Sequence, residues 1–249
     1  MSKPKVGFFD FASCEGCQIE LTNFGDVAFL ELINHIDIVE FREAMSEKAG
    51  KLDIAFIEGS FTRESDRKRL EEIRKRSAIV IAYGACAATG GINALKNHQH
   101  DYHECVYGKD AKAPHLASNI ALPISAAIKV DYSVYGCPMS RDEFIRIVSH
   151  LLHDKQPIIP NHPVCMECKL NETICRFHDG DHCLGVVARA GCGAPCPKDG
   201  IPCEACRGFV STPNVDSLVK TLINKGGMHS SRAWNKSRMF TNNQRGDVK

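Results

Sequence analysis

KVGFFDFASCEGC, residues Lys5–Cys17, runs from an apolar stretch straight into a pair of cysteines. Lys5–Phe11 shows little alternation, which suits a strand buried on both faces of a parallel sheet. Gly16 lets the backbone come close to whatever the two thiols hold. The same arrangement recurs downstream. Ser77–Tyr83 (SAIVIAY) leads into Gly84-Ala85-Cys86, and Val130–Tyr135 leads into Gly136-Cys137-Pro138. Asp37–Phe41 and Leu52–Glu58 are further strand candidates, the second ending in Glu58-Gly59-Ser60.

Helical patterns separate these runs. Gln18–His35 carries enough apolar residues for a helix, although Gly25 weakens its middle. Arg63–Arg76 is strongly charged, with Leu70 and Ile73 as a sparse buried stripe, so a surface helix is expected. Its clusters Arg67-Lys68-Arg69 and Arg74-Lys75-Arg76 then form a solvated face. Alternation of strand and helix predicts an α/β fold with a parallel, doubly wound sheet. Such sheets bind ligands outside the carboxyl ends of their strands. Cys14 and Cys17, Cys86, and Cys137 each follow a strand, so three strand ends would deliver four thiols to one sheet edge. Any one of them alone could be an ordinary buried cysteine; the argument rests on the four together.

Asn93–Ala121 is polar and His-rich without clear periodicity, and reads as a surface excursion. Cys105 lies within it and is expected to be an unliganded thiol. Ser140-Arg141-Asp142-Glu143 has the form of a capping box, followed by Phe144, Val148, Leu151 and Leu152 on one helical face. The composition turns Pro- and Cys-rich after about Ile158–Pro160, which places a domain boundary there. Three parts follow: 1–158, 159–226, and a polar tail over 227–249 that is either frayed or docked on a partner. Thr212-Pro213 is the expected start of a helix striped by Val215, Leu218, Val219, Leu222 and Ile223.

The second part holds eight of the thirteen cysteines in a total of 249 residues. Their spacing is C-x2-C-x6-C-x7-C over Cys165, Cys168, Cys175 and Cys183, then C-x3-C-x6-C-x2-C over Cys192, Cys196, Cys203 and Cys206. Short loops close cheaply, which favours two local sets of four. Zinc accepts four thiolates at such spacings. Three features favour iron–sulfur: Pro follows Cys137 and Cys196, glycines crowd the cysteines, and three four-thiol centres exceed what structure alone requires.

A net charge of +1 excludes the electrostatic footprint of a nucleic-acid binder. No apolar run approaches the ~20 residues of a membrane span. The N-terminus MSKPKVGFFDF has no secretory pattern, so a cytoplasmic location is expected. So many cysteines in a reducing compartment argue for ligands rather than disulfides.

CEGCQIEL (Cys14–Leu21), IEGS (Ile57–Ser60), GACAATGG (Gly84–Gly91), YGCPMSRDEF (Tyr135–Phe144) and the Cys165–Cys206 run together resemble the small subunit of nickel–iron hydrogenases. The resemblance implies a flavodoxin-like domain followed by a loop- and helix-rich iron–sulfur domain. It implies three 4Fe-4S clusters, the proximal one on Cys14, Cys17, Cys86 and Cys137 beside the nickel–iron centre of a separate large subunit. No catalytic residue is expected in this chain, and Glu58 is expected to cap nearby N–H groups. The other eight cysteines would hold the second and third clusters. A competing division exchanges Cys175 and Cys192, because CLGVVARAGC (Cys183–Cys192) resembles a paired-ligand segment of the periplasmic enzymes. His162, an echo of those enzymes' histidine ligand, is expected to be a bystander. The pattern is similar to cytosolic, multimeric hydrogenases that exchange electrons with pyridine nucleotides, deazaflavin, ferredoxin, sulfur or heterodisulfide. These imply a flavin- or iron–sulfur-containing acceptor subunit as second partner. A related cluster subunit of a quinone-reducing complex and a zinc-stabilised interaction module are the alternatives.

Overall fold

The computed structural model describes residues 3–23, 27–42, 44–46, 50–99 and 101–244. In chain order the elements begin with β1 (Lys5–Asp10), α1 (Gly16–Thr22), α2 (Val27–Leu32), β2 (Asp37–Phe41), β3 (Leu52–Glu58) and α3 (Ser65–Arg76). They continue through β4 (Ser77–Tyr83), α4 (Ala85–Thr89), α5 (Tyr102–Tyr107), β5 (Tyr132–Val134) and α6 (Arg141–Leu152). The remainder contributes α7 (Val164–Leu170), α8 (Pro195–Lys198), α9 (Val215–Asn224) and α10 (Ser230–Lys236).

All five strands pair in parallel in the order β2-β1-β3-β4-β5. That is the flavodoxin-like doubly wound order. Near-continuous apolar strands follow from burial on both faces. Phe8, Phe56, Ile81 and Tyr83 face one layer, where they meet Leu21 of α1 and Phe144, Ile147 and Val148 of α6. Phe9, Ala55, Ile57, Val80 and Ala82 face the other, against Leu70 and Ile73 of α3. An aromatic cluster centres the first layer: Phe144 lies 4.8 Å from Phe56 and 6.3 Å from Phe8, centroid to centroid.

Several local expectations change. The helix expected over Gln18–His35 is two shorter ones, α1 and α2, with Phe24 and Gly25 outside the described residues. The stretch 93–121 does run over the surface, mostly exposed, and on the way forms α5 and short 3-10 turns. Arginines of α3 are more than a solvated face. Arg76 pairs with the buried Glu40 of β2, Arg74 with Asp131 before β5, and Arg69 donates to the Asp10 carbonyl, so the helix is tied to strand ends. The capping box is only half formed: the Ser140 hydroxyl accepts the Glu143 N–H at 3.4 Å, but the Glu143 carboxylate turns inward to Arg207. The cap of α9 is Asn214, which accepts from the Ser217 N–H at 3.0 Å, rather than Thr212.

Beyond α6 a second, smaller core gathers Val164, Leu184, Val187, Phe209, Leu218 and Leu222, with Trp234 of α10 packed against it. The C-terminal residues up to 244 dock on their own chain. Asn243 donates to the carbonyls of Thr89 and Ala121, Asn242 to that of Ala94, and Gln244 accepts the Phe209 N–H at 2.7 Å. The tail thus straps the cysteine-rich part to the sheet, and its polarity serves those hydrogen bonds. Phe144→Ala is expected to cost about 3–5 kcal/mol by opening a cavity in the aromatic cluster. A thermal unfolding midpoint close to that of the unmutated chain would contradict this packing.

Candidate metal centres

Three strand ends carry the first four cysteines to one edge of the sheet. The loop after β1 carries Cys14, and α1 presents Cys17 one turn later. α4 presents Cys86 directly after β4, and Cys137 follows β5. Gly84 makes the closest approach. It has φ +84°, and a Cβ there would fall 2.5 Å from the Cys17 sulfur, so only glycine fits. Asn93 aims its Nδ2 at the Cys86 sulfur at 3.9 Å. Glu58, at the end of β3, is 2% exposed and accepts the N–H groups of Cys17 at 3.3 Å and Gln18 at 3.1 Å. This is the capping role expected for it.

These four thiols act on one another. Burial pushes Cys17 far up, with the Glu58 charge and the thiolates of Cys86 and Cys137 adding to it. Cys86 is pushed up to about 12 by burial, then by Cys137 and Cys14. Cys137 is raised by burial and next by Cys206. Buried thiols that repel one another as thiolates need a cationic centre to hold them ionised, and its binding must release their protons.

The remaining eight fall into two neighbourhoods. α7 presents Cys165 and Cys168 one turn apart. Cys165 is pushed up to about 11 by burial, then by Cys183, Cys168 and Cys175. Cys168 is raised by burial and by Cys183 and Cys175. In the other group, Cys192 is pushed up to about 11 by burial, opposed by the Ala194 N–H and by Arg207. Cys206 is raised by burial, opposed by the Cys137 N–H and Arg207, with Cys196 adding. A cavity of about 320 Å³ has Cys192, Cys196, Cys203 and Cys206 all on its wall. The fold thus places Cys175 with Cys165, Cys168 and Cys183, and Cys192 with the last three cysteines.

Order in space differs from order in sequence. The last set lies between the other two. On one side the Cys137 N–H points at the Cys206 sulfur, and Cys137 also lines the 320 Å³ cavity. On the other, the Cys203 N–H donates to the Cys183 sulfur at 3.3 Å. Cys105 stands apart on α5, exposed, with its thiol donating to Asp101 at 3.4 Å and no cysteine among the groups acting on it.

Each neighbourhood offers four thiols. Backbone N–H groups point at sulfur, as from Cys203 and from Ala205 at 3.5 Å. Among the described residues, no three His, Cys, Asp or Glu side chains converge on a point that would hold a single ion. A 320 Å³ space lined by Cys137 as well as by Cys192, Cys196, Cys203 and Cys206 exceeds what one ion fills, and the donor set fits a polynuclear iron–sulfur group. Sequence reading missed several supporting groups. Glu167 accepts the Gly191 N–H at 2.8 Å and reaches the Cys192 sulfur, and a buried Arg207–Glu143 pair lies beside Cys206. Only Glu143 carried a signal, as half of a capping motif; nothing in the spacing pairs residues so far apart.

The family described as NADH ubiquinone oxidoreductase, 20 kDa subunit, matches residues 14–151, which include all four cysteines at the sheet edge. The chain belongs to this family. It is 33% identical over 220 residues to the delta subunit of sulfhydrogenase 2 of Pyrococcus furiosus, covering 88% of this chain and 92% of that one. It is 34% identical to a subunit of the vhu F420-non-reducing hydrogenase of Methanocaldococcus jannaschii, covering 82% of this chain and 81% of the relative. Among solved structures, a chain of an NAD+-reducing [NiFe]-hydrogenase superposes with a TM-score of 0.55 at 26% identity. That match covers 64% of this chain and 96% of the other. The resemblance to nickel–iron hydrogenase small subunits therefore holds in both sequence and fold, and these relatives are subunits of oxidoreductases acting on hydrogen.

The grouping of thiols makes a spectroscopic expectation. Cys175→Ser should perturb the centre of Cys165 and Cys168 and spare that of Cys203 and Cys206, while Cys105→Ser leaves iron content unchanged. The reverse pattern for Cys175→Ser, or a loss of about four irons in Cys105→Ser, would contradict it.

Proposed function

We propose that this chain is the electron-transfer subunit of a cytoplasmic nickel–iron hydrogenase, relaying electrons between the hydrogen site of a large subunit and an acceptor subunit. The observation that carries the reading is the row of three four-thiol neighbourhoods. When bound, three 4Fe-4S clusters would supply one-electron steps. Cys14, Cys17, Cys86 and Cys137 would hold the proximal one, Cys192, Cys196, Cys203 and Cys206 the middle one, and Cys165, Cys168, Cys175 and Cys183 the outermost. The chain's own part is to fix these thiols, shield them from water and offer a docking face at each end.

Both ends of the row have such faces. Near the first set, Cys14 is exposed and Ile19, one turn beyond, is 63% exposed despite being apolar. That suits contact with a large subunit. At the other end, exposed Cys175 has Ile174 beside it, 70% exposed, with Leu170 and Met166 of α7 also uncovered. That suits a flavin- or iron–sulfur-containing acceptor. Among the described residues no helix is long and apolar enough to cross a membrane.

The family's description favours one competing reading, a cluster subunit of a quinone-reducing complex. The Cys14-Glu15-Gly16-Cys17 spacing and the eight cysteines after Ile158 favour the hydrogenase, as does the similarity to hydrogenase subunits over more than four fifths of the chain. Copurification with a nickel-containing large subunit, followed by hydrogen-dependent dye reduction, tests this. Activity is expected in the complex and none in the isolated, iron-loaded chain. Activity of the isolated chain, or a native complex without nickel, would overturn the assignment.

A further inference from the structure

Arg207 follows Cys206 directly and is 2% exposed, the largest fully buried side chain of the molecule's described residues. Its guanidinium spreads over acceptors from three parts of the chain. Nε donates to the Ala190 carbonyl at 2.9 Å, Nη1 to the Tyr135 carbonyl at 2.6 Å, and Nη2 to the Glu143 carboxylate at 2.7 Å. Tyr135 stands two residues before Cys137 of the first thiol set, and Ala190 two residues before Cys192 of the middle set. The chain leaves room for the guanidinium at Gly191, where φ is +120° and a Cβ would fall 2.4 Å from Nη2. Arg207 also lines both cavities at this boundary, the 320 Å³ space and its 530 Å³ neighbour, each shared with Cys137, Cys192, Cys196 and Cys206.

Adhesion alone does not account for these charges. A buried ion pair seldom stabilises more than apolar packing of the same volume. Moreover, the second Glu143 oxygen, Oε2, is buried without a hydrogen-bond partner. We infer that Arg207 is a positioning residue that fixes a positive charge at the junction of the first and middle thiol sets, favouring electron uptake there, with Glu143 as the opposing charge. This rests on the reading that the sets hold iron–sulfur clusters.

The sign follows from electrostatics. An added electron makes a cluster more negative, and a nearby cation in low-dielectric surroundings stabilises that state. A guanidinium keeps its charge at every working pH, so the bias is permanent. Its fork also holds Tyr135 and Ala190 in place, which keeps the two sets in register across the boundary.

Anaerobic redox titration followed by electron paramagnetic resonance, on the complex with its large subunit, tests the inference, with iron content measured alongside. Arg207→Gln is expected to lower the midpoint of the middle cluster while iron stays at the unmutated level. Glu143→Gln should raise it, and Arg207→Lys should restore most of the shift. An unmoved midpoint in iron-replete Arg207→Gln, or shifts of the same sign in Arg207→Gln and Glu143→Gln, would overturn it. Should Arg207→Gln fail to assemble, the Glu143→Gln result decides alone: a rise supports the inference, and no change or a fall overturns it. Absence of iron from the unmutated chain would instead remove the cluster reading beneath it.

Discussion

Thiols buried this close to one another resist ionisation in a bare protein. Burial raises most of them, and each thiolate that forms makes its neighbours harder to ionise. The rest of the molecule answers that constraint. Backbone N–H groups point at sulfur, Glu58 is held by two amides rather than left to repel freely, and Arg207 puts a cation where the first and middle sets meet. Iron–sulfur groups, where bound, would supply the positive charge that lets the thiolates coexist.

The parallel sheet makes the first set possible. Its strands all point the same way, so their carboxyl ends open onto one edge, and the turns after β1, β4 and β5 bring cysteines from distant sequence together. The cysteine-rich part has no such frame. It has a small core around Leu184, Phe209 and Leu222 and is tied to the sheet by Arg207 and by the C-terminal residues Asn242, Asn243 and Gln244. Joining the two parts through buried polar contacts fixes the spacing between neighbouring thiol sets, on which electron passage would depend.

Much of this was legible in the sequence because the signals are local. SAIVIAY is the strand β4 to the residue, and the four strand-end cysteines do meet. Local spacing also groups Cys175 with Cys165 and Cys168, the two thiols on which it acts in the fold. What escaped depends on contacts between distant segments. The Arg207–Glu143 pair spans 64 residues. Glu143 looked like a capping residue because its backbone does serve that cap, while its side chain follows a partner that no periodicity reveals. The tail's polarity reads as either frayed or docked on a partner, since a run of Asn and Gln shows no apolar stripe, yet Asn242 and Asn243 donate to carbonyls on the sheet domain and Gln244 accepts the Phe209 N–H. Spatial order of the last two sets was equally hidden: chain order places Cys165–Cys183 next to the sheet, whereas Cys206 is the one beside Cys137.

The proposed row of three iron–sulfur centres has as its middle member the set that is last in sequence. Anomalous scattering at the iron edge, from crystals of the complex grown without oxygen, measures this order directly. Three iron peaks are expected in this chain, the middle one ringed by Cys192, Cys196, Cys203 and Cys206. A middle peak ringed by Cys165, Cys168, Cys175 and Cys183, or a single zinc ion in any of the three sets, would contradict it.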